Sequence, residues 1–455
     1  MNYDQTDPKS IEAYAQELLG HSLREKIAVD LPDTKRAGKG GFGQDLEEYY
    51  FKISPGNISA PDFTEAGVEL KSFPIDQRKN NKLVAGERIK LGSIDYEQMA
   101  TEEWETSSFL KKNALLLLVA YLRDRRGSRP TGFDYRDALI RLAHLWDYPD
   151  GDLKIIRDDW NLIVEKVRGG RAHEISEGDT LYLGAATSGQ KGSKLRKQPR
   201  GPDAKQRSLT LKQPYVTTIL ERLLAPRLAR KELEPAVKAS NAYRGGETFE
   251  EYIARRFKTF IGMTTDEINA ELQLILDPSA KNYIAVLTRA ILGVRKKKIE
   301  EFEKAGVLMK TIRLERHGAP KESMSFPAFR YNDLIAQTWD DSDLRRLFQQ
   351  RFFFVVFQRN ESGRLVLKKV LFWTMPTDAL EGEVKKVWEK TVKMIKAGRI
   401  DDLPRESESP VCHVRPHARN AADTDIAPDG KRYVRKCFWL NRKFIADIVA
   451  ASQSN

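Results

Sequence analysis

The residues best suited to chemistry in this chain lie close together in the segment PDFTEAGVELK, residues 61–71. If GVELK is a β-strand, its side chains alternate between two faces, so the apolar residues point one way while Glu69 and Lys71 point the other. Asp62 follows a proline and lies seven residues before Glu69, a spacing that fits an adjoining strand or bend. Two carboxylates and an ammonium group are therefore expected side by side.

Such a set of groups is suited to the hydrolysis of phosphodiesters. The reaction needs a water molecule made nucleophilic near neutral pH and a counter-charge for the phosphate oxygens, and a divalent cation bound by hard carboxylates supplies both. Asp62 and Glu69 are the predicted ligands of that ion, Mg²⁺. Lys71 is expected to orient and help deprotonate the attacking water, or to stabilise the developing charge.

The acidic-x-Lys triplet carries little weight alone, because the chain repeats it at Asp33, Asp152, Asp203 and Glu383. Its significance therefore depends on the secondary-structure elements that surround it. The apolar spacing predicts a helix over 8–27, a glycine-rich turn at 38–44 followed by a helix over 45–51, and a helix over 158–170. GVELKSFPI and ALLLLVAYL are predicted to be strands, the second fully buried.

Composition restricts the class of protein. The 455 residues carry a net charge of +12, which favours a polyanionic partner such as nucleic acid. Two cysteines indicate no disulfide framework. The N-terminus lacks an apolar signal core and the longest apolar run is too short for a bilayer, so we expect a cytoplasmic protein with no membrane contact.

Three segments of the first half recur in order in the second half. GQDLEEY (43–49) resembles GETFEEY (246–252), DFTEAGVELK (62–71) resembles EFEKAGVLMK (301–310), and WNLIVEKVRGGR (160–171) resembles WEKTVKMIKAGR (388–399). The apolar run that starts at Phe352 corresponds to ALLLLV. These matches predict two copies of one domain.

The motifs GFGQDLEEYYF, PDFTEAGVELKSFPI and WETSSFLKKNALLLLVAYL together resemble the MutH family of nucleases. The resemblance implies an α/β fold of the restriction-endonuclease-like, PD-(D/E)xK type, a mixed sheet flanked by helices, here present twice as a tandem pseudo-repeat. It also implies five catalytic residues, namely Glu47, Asp62, Glu69, Lys71 and Lys112. Glu48 competes with Glu47, and Lys111 competes with Lys112.

The second copy differs at one decisive position. Glu250, Glu301 and Lys310 correspond to Glu47, Asp62 and Lys71, but Leu308 stands where the first copy has Glu69. Because leucine cannot bind a metal ion, we expect the second site to be inactive.

The tail of the second copy resembles the DNA-recognition region of the mismatch-repair nickase. In that region an Arg-Pro pair enters the groove, which makes Arg415 the candidate for a contact with guanine. The other predicted DNA-binding residues are basic: Arg419, Arg432, Arg435, Lys436, Arg442 and Lys443 in the second copy, and Lys191, Lys194, Arg196 and Lys197 in a basic arm of the first.

Two MutH-like halves resemble the Sau-three-A type of type II restriction endonucleases. The resemblance implies cleavage of double-stranded DNA at GATC with Mg²⁺, stimulation by the C-terminal copy, and a cognate methyltransferase that protects the host. The predicted domains are 1–225, a linker at 226–245, and 246–455. One catalytic site per chain further predicts a dimer formed on DNA.

The sequence is also compatible with two other functions. One is a mismatch-repair nicking endonuclease, which would not need the second copy. The other is a non-catalytic DNA-binding protein in which both sites are relics.

Overall fold

A computed structural model describes residues 3–27, 41–54, 60–78, 81–123, 134–188, 195–239, 242–280 and 282–451. Its strands are β1 (Val68–Gln77), β2 (Leu83–Ala85), β3 (Ile89–Ser93), β4 (Leu115–Arg123), β5 (Ile140–Asp147), β6 (Leu183–Thr187), β7 (Arg207–Leu211), β8 (Leu233–Glu234), β9 (Lys298–Ile299), β10 (Leu308–Leu314), β11 (Met324–Ser325), β12 (Arg351–Arg359), β13 (Leu365–Thr374), β14 (Cys412–Pro416), β15 (Thr424–Ile426), β16 (Arg432–Val434) and β17 (Lys436–Leu440).

The α-helices are α1 (Pro8–Gln16), α2 (Leu23–Lys26), α3 (Gly41–Asp45), α4 (Tyr96–Met99), α5 (Ser108–Asn113), α6 (Asp150–Arg168), α7 (Gln213–Leu224), α8 (Pro226–Glu232), α9 (Phe249–Lys258), α10 (Thr265–Glu271), α11 (Tyr283–Ile291), α12 (Glu300–Ala305), α13 (Tyr331–Ile335), α14 (Asp343–Phe348), α15 (Thr377–Ala379), α16 (Lys385–Lys396) and α17 (Arg442–Ala451). Leu46–Phe51 and Leu380–Val384 form π-helical turns. Short 3₁₀ turns lie at Trp104–Thr106, Tyr135–Asp137, Ala172–Glu174, Glu177–Asp179, Ile400–Asp402 and Glu406–Glu408.

The chain divides into two compact units. Unit 1 contains residues 1–242 together with 296–306, and unit 2 contains 243–295 together with 307–455. The expected boundaries differ from this division in two ways. Residues 226–234 of the expected linker form α8 and β8, and the segment 296–306 of the second half belongs to unit 1, where β9 pairs with β8 in parallel.

Unit 1 is a mixed α/β structure built on a sheet in the order β2-β1-β4-β5. β1 runs parallel to β4, while β4 and β5 are antiparallel. The expected strands at GVELKSFPI and ALLLLVAYL are therefore confirmed. One face of β1 is apolar, and Val68 and Leu70 pack in a core with Phe42, Leu46 and Phe51. The burial of these large side chains fixes which face of β1 remains for polar groups.

A second sheet of unit 1 has the order β3-β7-β6 and is antiparallel. Helix α6 helps to position it, because the buried Asp159 carboxylate accepts the backbone N–H groups of Leu181, Tyr182 and Leu183 at 2.7, 2.6 and 2.9 Å. These three bonds fix the start of β6 relative to the helix.

Unit 2 contains a sheet in the order β10-β12-β13 and another in the order β11-β17-β14. β10 is parallel to β12, and β12 is antiparallel to β13. Buried phenylalanines of β12 pack with Trp388 and Val392 of α16. Taken by itself, each unit thus has a parallel strand pair extended by an antiparallel strand, a long helix, and a second, antiparallel sheet.

Two predicted helices and one predicted turn need correction. The single helix expected over 8–27 is two helices, α1 and α2, separated by a turn in which Gly20 has a φ of 79°. Residues 38–40 of the expected glycine-rich turn lie outside the described residues, and the rest of it is helical, since α3 begins at Gly41 and continues into the π-helix. The helix expected over 158–170 begins eight residues earlier, at Asp150. No helix in the described ranges is both long and apolar enough to cross a membrane.

Candidate active site

A tight turn before β1 places Asp62 next to Glu69. Phe63 and Val68 form an antiparallel bridge, with N–H to O distances of 2.9 and 3.2 Å, and Gly67 closes the turn at a φ of 67°. A side chain is strained at that φ, so the glycine is required. The two acidic residues are tied together, since Asp62 N donates to Glu69 Oε2 at 3.1 Å and Leu70 N donates to Asp62 Oδ2 at 2.9 Å.

Glu69 is the centre of the cluster. Its side chain is only 2% exposed, and its Oε1 atom accepts a hydrogen bond from Lys71 Nζ and lies 3.6 Å from Lys112 Nζ. Burial raises the pKa of Glu69 above its usual range, and the positive charge of Lys71 opposes that rise. Glu69 is thus a buried carboxylate that two ammonium groups share.

Lys112 reaches the cluster from a different element. It lies in the last turn of α5, three residues before β4 begins, and β4 runs beside β1 so that Glu69 is level with Leu116. Lys112 lines the cleft, whereas Lys111 is exposed and is not among the lining residues. The geometry therefore favours Lys112 over Lys111.

Glu47 lies on the π-helix at the edge of the same cleft. Burial, followed by the nearby charge of Asp62, raises the pKa of Glu47 to about 7. The helix is held in place by a buried ion pair in which Arg136 Nε lies 2.6 Å from Asp45 Oδ2. Glu48 is not a lining residue.

The cleft has a volume of about 390 Å³, and all five predicted catalytic residues line it. Its other lining residues escaped the sequence interpretation: Gln44, Lys90, Leu91, Gly92 and Ser93. The signal for Lys90 was present, because it stands between apolar residues of a strand as Glu69 does, but that pattern is common on solvated strand faces.

The donor set fits a hard divalent cation. Asp62 and Glu69 place carboxylate oxygens close together in the cleft, and burial raises the pKa of Glu47 and Glu69, a rise that a bound cation would oppose. Within the described residues, no three acidic, histidine or cysteine side chains form a complete metal cage. Asp62 and Glu69 would hold a divalent ion through their two carboxylates, and water and substrate oxygens would supply its other ligands.

In unit 2 the side chains predicted to correspond to the catalytic residues are bound to other groups. Lys310 Nζ donates to the backbone oxygen of Ser325 at 3.0 Å, and burial lowers the pKa of this lysine. Glu250 accepts two hydrogen bonds from Arg351, one of them 2.6 Å long from Nη2. Leu308 is half-buried and supplies no ligand.

Glu301, the expected counterpart of Asp62, is not in a turn before a strand. It lies on α12 within unit 1, where its buried carboxylate accepts the backbone N–H groups of Ala236 and Val237 at 2.9 and 3.0 Å. The carboxylate is thus used to anchor the segment that contains α8 and β8.

The predicted DNA-binding residues of unit 2 fall into two groups. Arg415 lies on β14, with its guanidinium 3.8 Å from the ring centroid of Trp439, and Arg419 is exposed in the following loop. Arg415 pairs with Cys437, near the start of β17, whereas Arg442 and Lys443 are exposed just after its end. The five residues of this strand span about 16 Å. The structure does not bring this pair close to Arg415.

Other basic residues of these loops have partners. Arg435 Nε lies 3.1 Å from Asp423 Oδ1, and Lys436 Nζ donates to the backbone oxygen of Ile400 at 2.6 Å. In unit 1, Arg196 and Lys197 are exposed beside the bridge that joins Arg196 to Ala204. Lys191 and Lys194 lie outside the described residues.

The sheet, the buried Glu69 and the flanking lysines define a MutH-like nuclease domain of the restriction-endonuclease-like class. The family model of the DNA mismatch repair enzyme MutH matches residues 51–159. This range includes four of the five predicted catalytic positions and begins after the fifth, Glu47. The MutH protein of Shewanella woodyi is 28% identical over 42% of this chain and 80% of its own, and that of Vibrio campbellii is 25% identical over 41% and 84%.

A longer match covers both units. The type II restriction enzyme Sau3AI of Staphylococcus aureus is 31% identical over 95% of this chain and 92% of its own length. The chain belongs to this family of type II restriction enzymes, and it is an endonuclease.

The position of Lys112 leads to a first prediction. Lys112→Ala should lower the single-turnover rate of DNA cleavage by about a hundredfold, because it removes one of two cations at the Glu69 carboxylate. Lys111→Ala, one residue away and exposed, is the matched control and should stay within about twofold of the parent, as surface substitutions usually do. Equal losses in both variants would contradict the assignment.

Proposed function

We propose that unit 1 hydrolyses phosphodiester bonds of double-stranded DNA at GATC with Mg²⁺, and that unit 2 is a silenced copy that binds DNA and stimulates unit 1. The observation that carries the nuclease assignment is the convergence of Asp62, Lys71 and Lys112 on Glu69 in one cleft. The GATC target rests on the resemblance to the Sau-three-A type alone.

The residues of the cleft have distinct proposed roles. Asp62 and Glu69 would hold the ion, which when bound supplies a polarised water and positive charge at the phosphate. Lys71 orients the attacking water through one of its N–H groups, and Lys112 stabilises negative charge that develops on the phosphate oxygens. Glu47, at the edge of the cleft, would take up a proton during the reaction, in keeping with its pKa of about 7.

Unit 2 is proposed to be a duplicate of the catalytic domain. Three features support this: the three repeated sequence segments, the matching order of β1-β4-β5 and β10-β12-β13, and glycines at equivalent places before β1 and β10, Gly67 at a φ of 67° and Gly306 at 66°. Its proposed inactivity rests on Leu308 and on the Arg351 bond to Glu250. A catalytically inactive duplicate can still contribute to function if it binds DNA.

One catalytic site per chain must act twice to cut a duplex. We therefore propose that two chains meet on DNA, or that one chain nicks the strands in turn. A second DNA-binding unit raises the effective concentration of the chain at its target. The host would need a cognate methyltransferase to protect its own DNA.

Digestion of a sequenced, unmethylated plasmid tests the proposed function. With Mg²⁺ and no partner protein, we expect double-strand fragments that map to GATC, and with a chelator in place of Mg²⁺ we expect none. Fragments that match another sequence would refute the target but not the nuclease. Nicked circles as the only product would favour a mismatch-repair nickase instead.

A further inference from the structure

Lys90 is a further cation of the catalytic cleft, and it has no role in the proposed hydrolysis. The cleft is lined by three lysines, and two of them, Lys71 and Lys112, are bound by Glu69. Lys90 is exposed and makes no ion pair or side-chain hydrogen bond within the described part of the chain. A flexible ammonium group without a carboxylate partner is therefore available at the cleft.

The backbone presents Lys90 from the second sheet, whereas the acidic ligands come from the first. Lys90 on β3 pairs with Thr210 of β7, and the register then shifts so that Gly92 pairs with Leu209. The extra residue, Leu91, is a β-bulge, a feature that redirects neighbouring side chains and is frequent beside active sites. Lys90 thus reaches the cleft from a strand of a different sheet from the one that carries Glu69.

A second cavity of about 500 Å³ continues from the catalytic cleft. The two cavities share Lys112 and the segment 90–93. Lys90 therefore lies where a polymer that enters the catalytic cleft can extend past the reacting group. If the polymer is DNA, the charged group next to the scissile phosphate along the same strand is the neighbouring phosphate.

Unit 2 provides an internal comparison. In unit 1, β3 pairs with β7, so that Ile89 lies opposite Leu211 and Lys90 opposite Thr210. In unit 2, β11 pairs with β17 in the same way, so that Met324 lies opposite Leu440 and Ser325 opposite Trp439. The place of Lys90 is therefore taken by Ser325, whose backbone oxygen binds Lys310. The unit that lacks the acidic ligand also lacks this cation.

We propose that Lys90 binds the phosphate adjacent to the scissile phosphate on the strand being cut, and so positions that strand across Asp62 and Glu69. Lysine suits this contact because it is a compact point charge on a flexible stem. The inference rests on the proposed function, since it requires DNA in the cleft of unit 1. It makes Lys90 a positioning residue rather than a catalytic one.

Single-turnover cleavage of a one-site duplex, measured against enzyme concentration and salt, tests the proposal in the full chain. Lys90→Ala should raise the half-saturating enzyme concentration about tenfold, as expected for loss of one charged hydrogen bond, while the maximal rate falls less than about threefold. The slope of log affinity against log salt should decrease in magnitude by about 1. Lys90→Arg should restore most of the affinity.

A duplex with a neutral methylphosphonate at one position identifies the contacted phosphate. For the parent enzyme, neutralising one of the two phosphates that flank the cut should weaken binding about as much as Lys90→Ala does, and for Lys90→Ala it should add nothing. Lys9→Ala, an exposed lysine of α1 outside the cleft, is the control and should behave as the parent.

The outcomes separate the two proposals. Additive losses from Lys90→Ala and the methylphosphonate, or an unchanged affinity and salt slope, would refute the phosphate contact while cleavage by the parent enzyme stands. A fall in maximal rate with unchanged affinity would also refute it, because that result defines a catalytic group. A parent enzyme that cuts no DNA would refute the proposed function, and with it this inference.

Discussion

Glu69→Gln should abolish cleavage, with a loss of about a thousandfold or more in the single-turnover rate. The substitution keeps the shape of the side chain but removes the charge that would bind the cation. It also leaves Lys71 and Lys112 without the carboxylate they share. Both consequences fall on the chemical step, so a quench assay at saturating enzyme is the measurement of choice.

The affinity of Glu69→Gln for DNA, in contrast to its cleavage rate, should not fall. Removing a negative charge from a cleft that receives phosphates should leave DNA affinity unchanged or slightly higher, measured by anisotropy without Mg²⁺. Glu65→Gln is the matched control, since Glu65 lies in the same turn before β1 but is exposed and does not line the cleft. It should retain parental rates. A loss of DNA binding in Glu69→Gln would instead indicate a misfolded turn.

The same variant also tests whether unit 2 is silent. If unit 2 kept any hydrolytic activity, Glu69→Gln would show a residual rate that depends on Mg²⁺ and on residues of unit 2. Complete loss is expected because Leu308 supplies no ligand and Glu250 is bound by Arg351. A residual rate within about a hundredfold of the parent would contradict the single-site assignment.

The sequence predicted the local part of the site well. The alternation of β1 and the short spacing from Asp62 to Glu69 are properties of neighbouring residues, and a glycine at a φ of 67° was enough to close the turn. The approach of Lys112 depends on the parallel pairing of β1 with β4, which no local pattern specifies. That residue was predicted through the family resemblance.

Other features depended on tertiary packing and were not predictable from pattern. Arg351 could have paired with many carboxylates, and only the fold selects Glu250. Glu301 has the right spacing to Leu308 but lies on a helix, because the segment 296–306 packs in unit 1. Lys90 is one of 77 basic residues, and its importance follows from the sheet that carries it into the cleft.

The second large effect is expected at Arg415. Arg415→Ala should abolish the stimulation of cleavage by a second recognition duplex, so that the rate on a one-site plasmid falls to that measured without added duplex. A bidentate arginine–guanine contact contributes about 1–3 kcal/mol of discrimination, which corresponds to about 5-fold to 160-fold in affinity. The ring of Trp439, 3.8 Å from the guanidinium, restricts the arginine before DNA arrives.

The measurement must separate reading of a base from simple attraction to phosphate. In a Glu69→Gln background, where DNA stays intact, Arg415→Ala should weaken binding to the GATC duplex and reduce discrimination against a duplex with one altered base pair. Arg432→Ala, which removes an exposed cation on β16, should instead weaken binding to both duplexes equally and lower the salt dependence. If Arg415→Ala behaves as Arg432→Ala does, Arg415 contacts the backbone, and unit 2 must obtain its sequence preference from another residue.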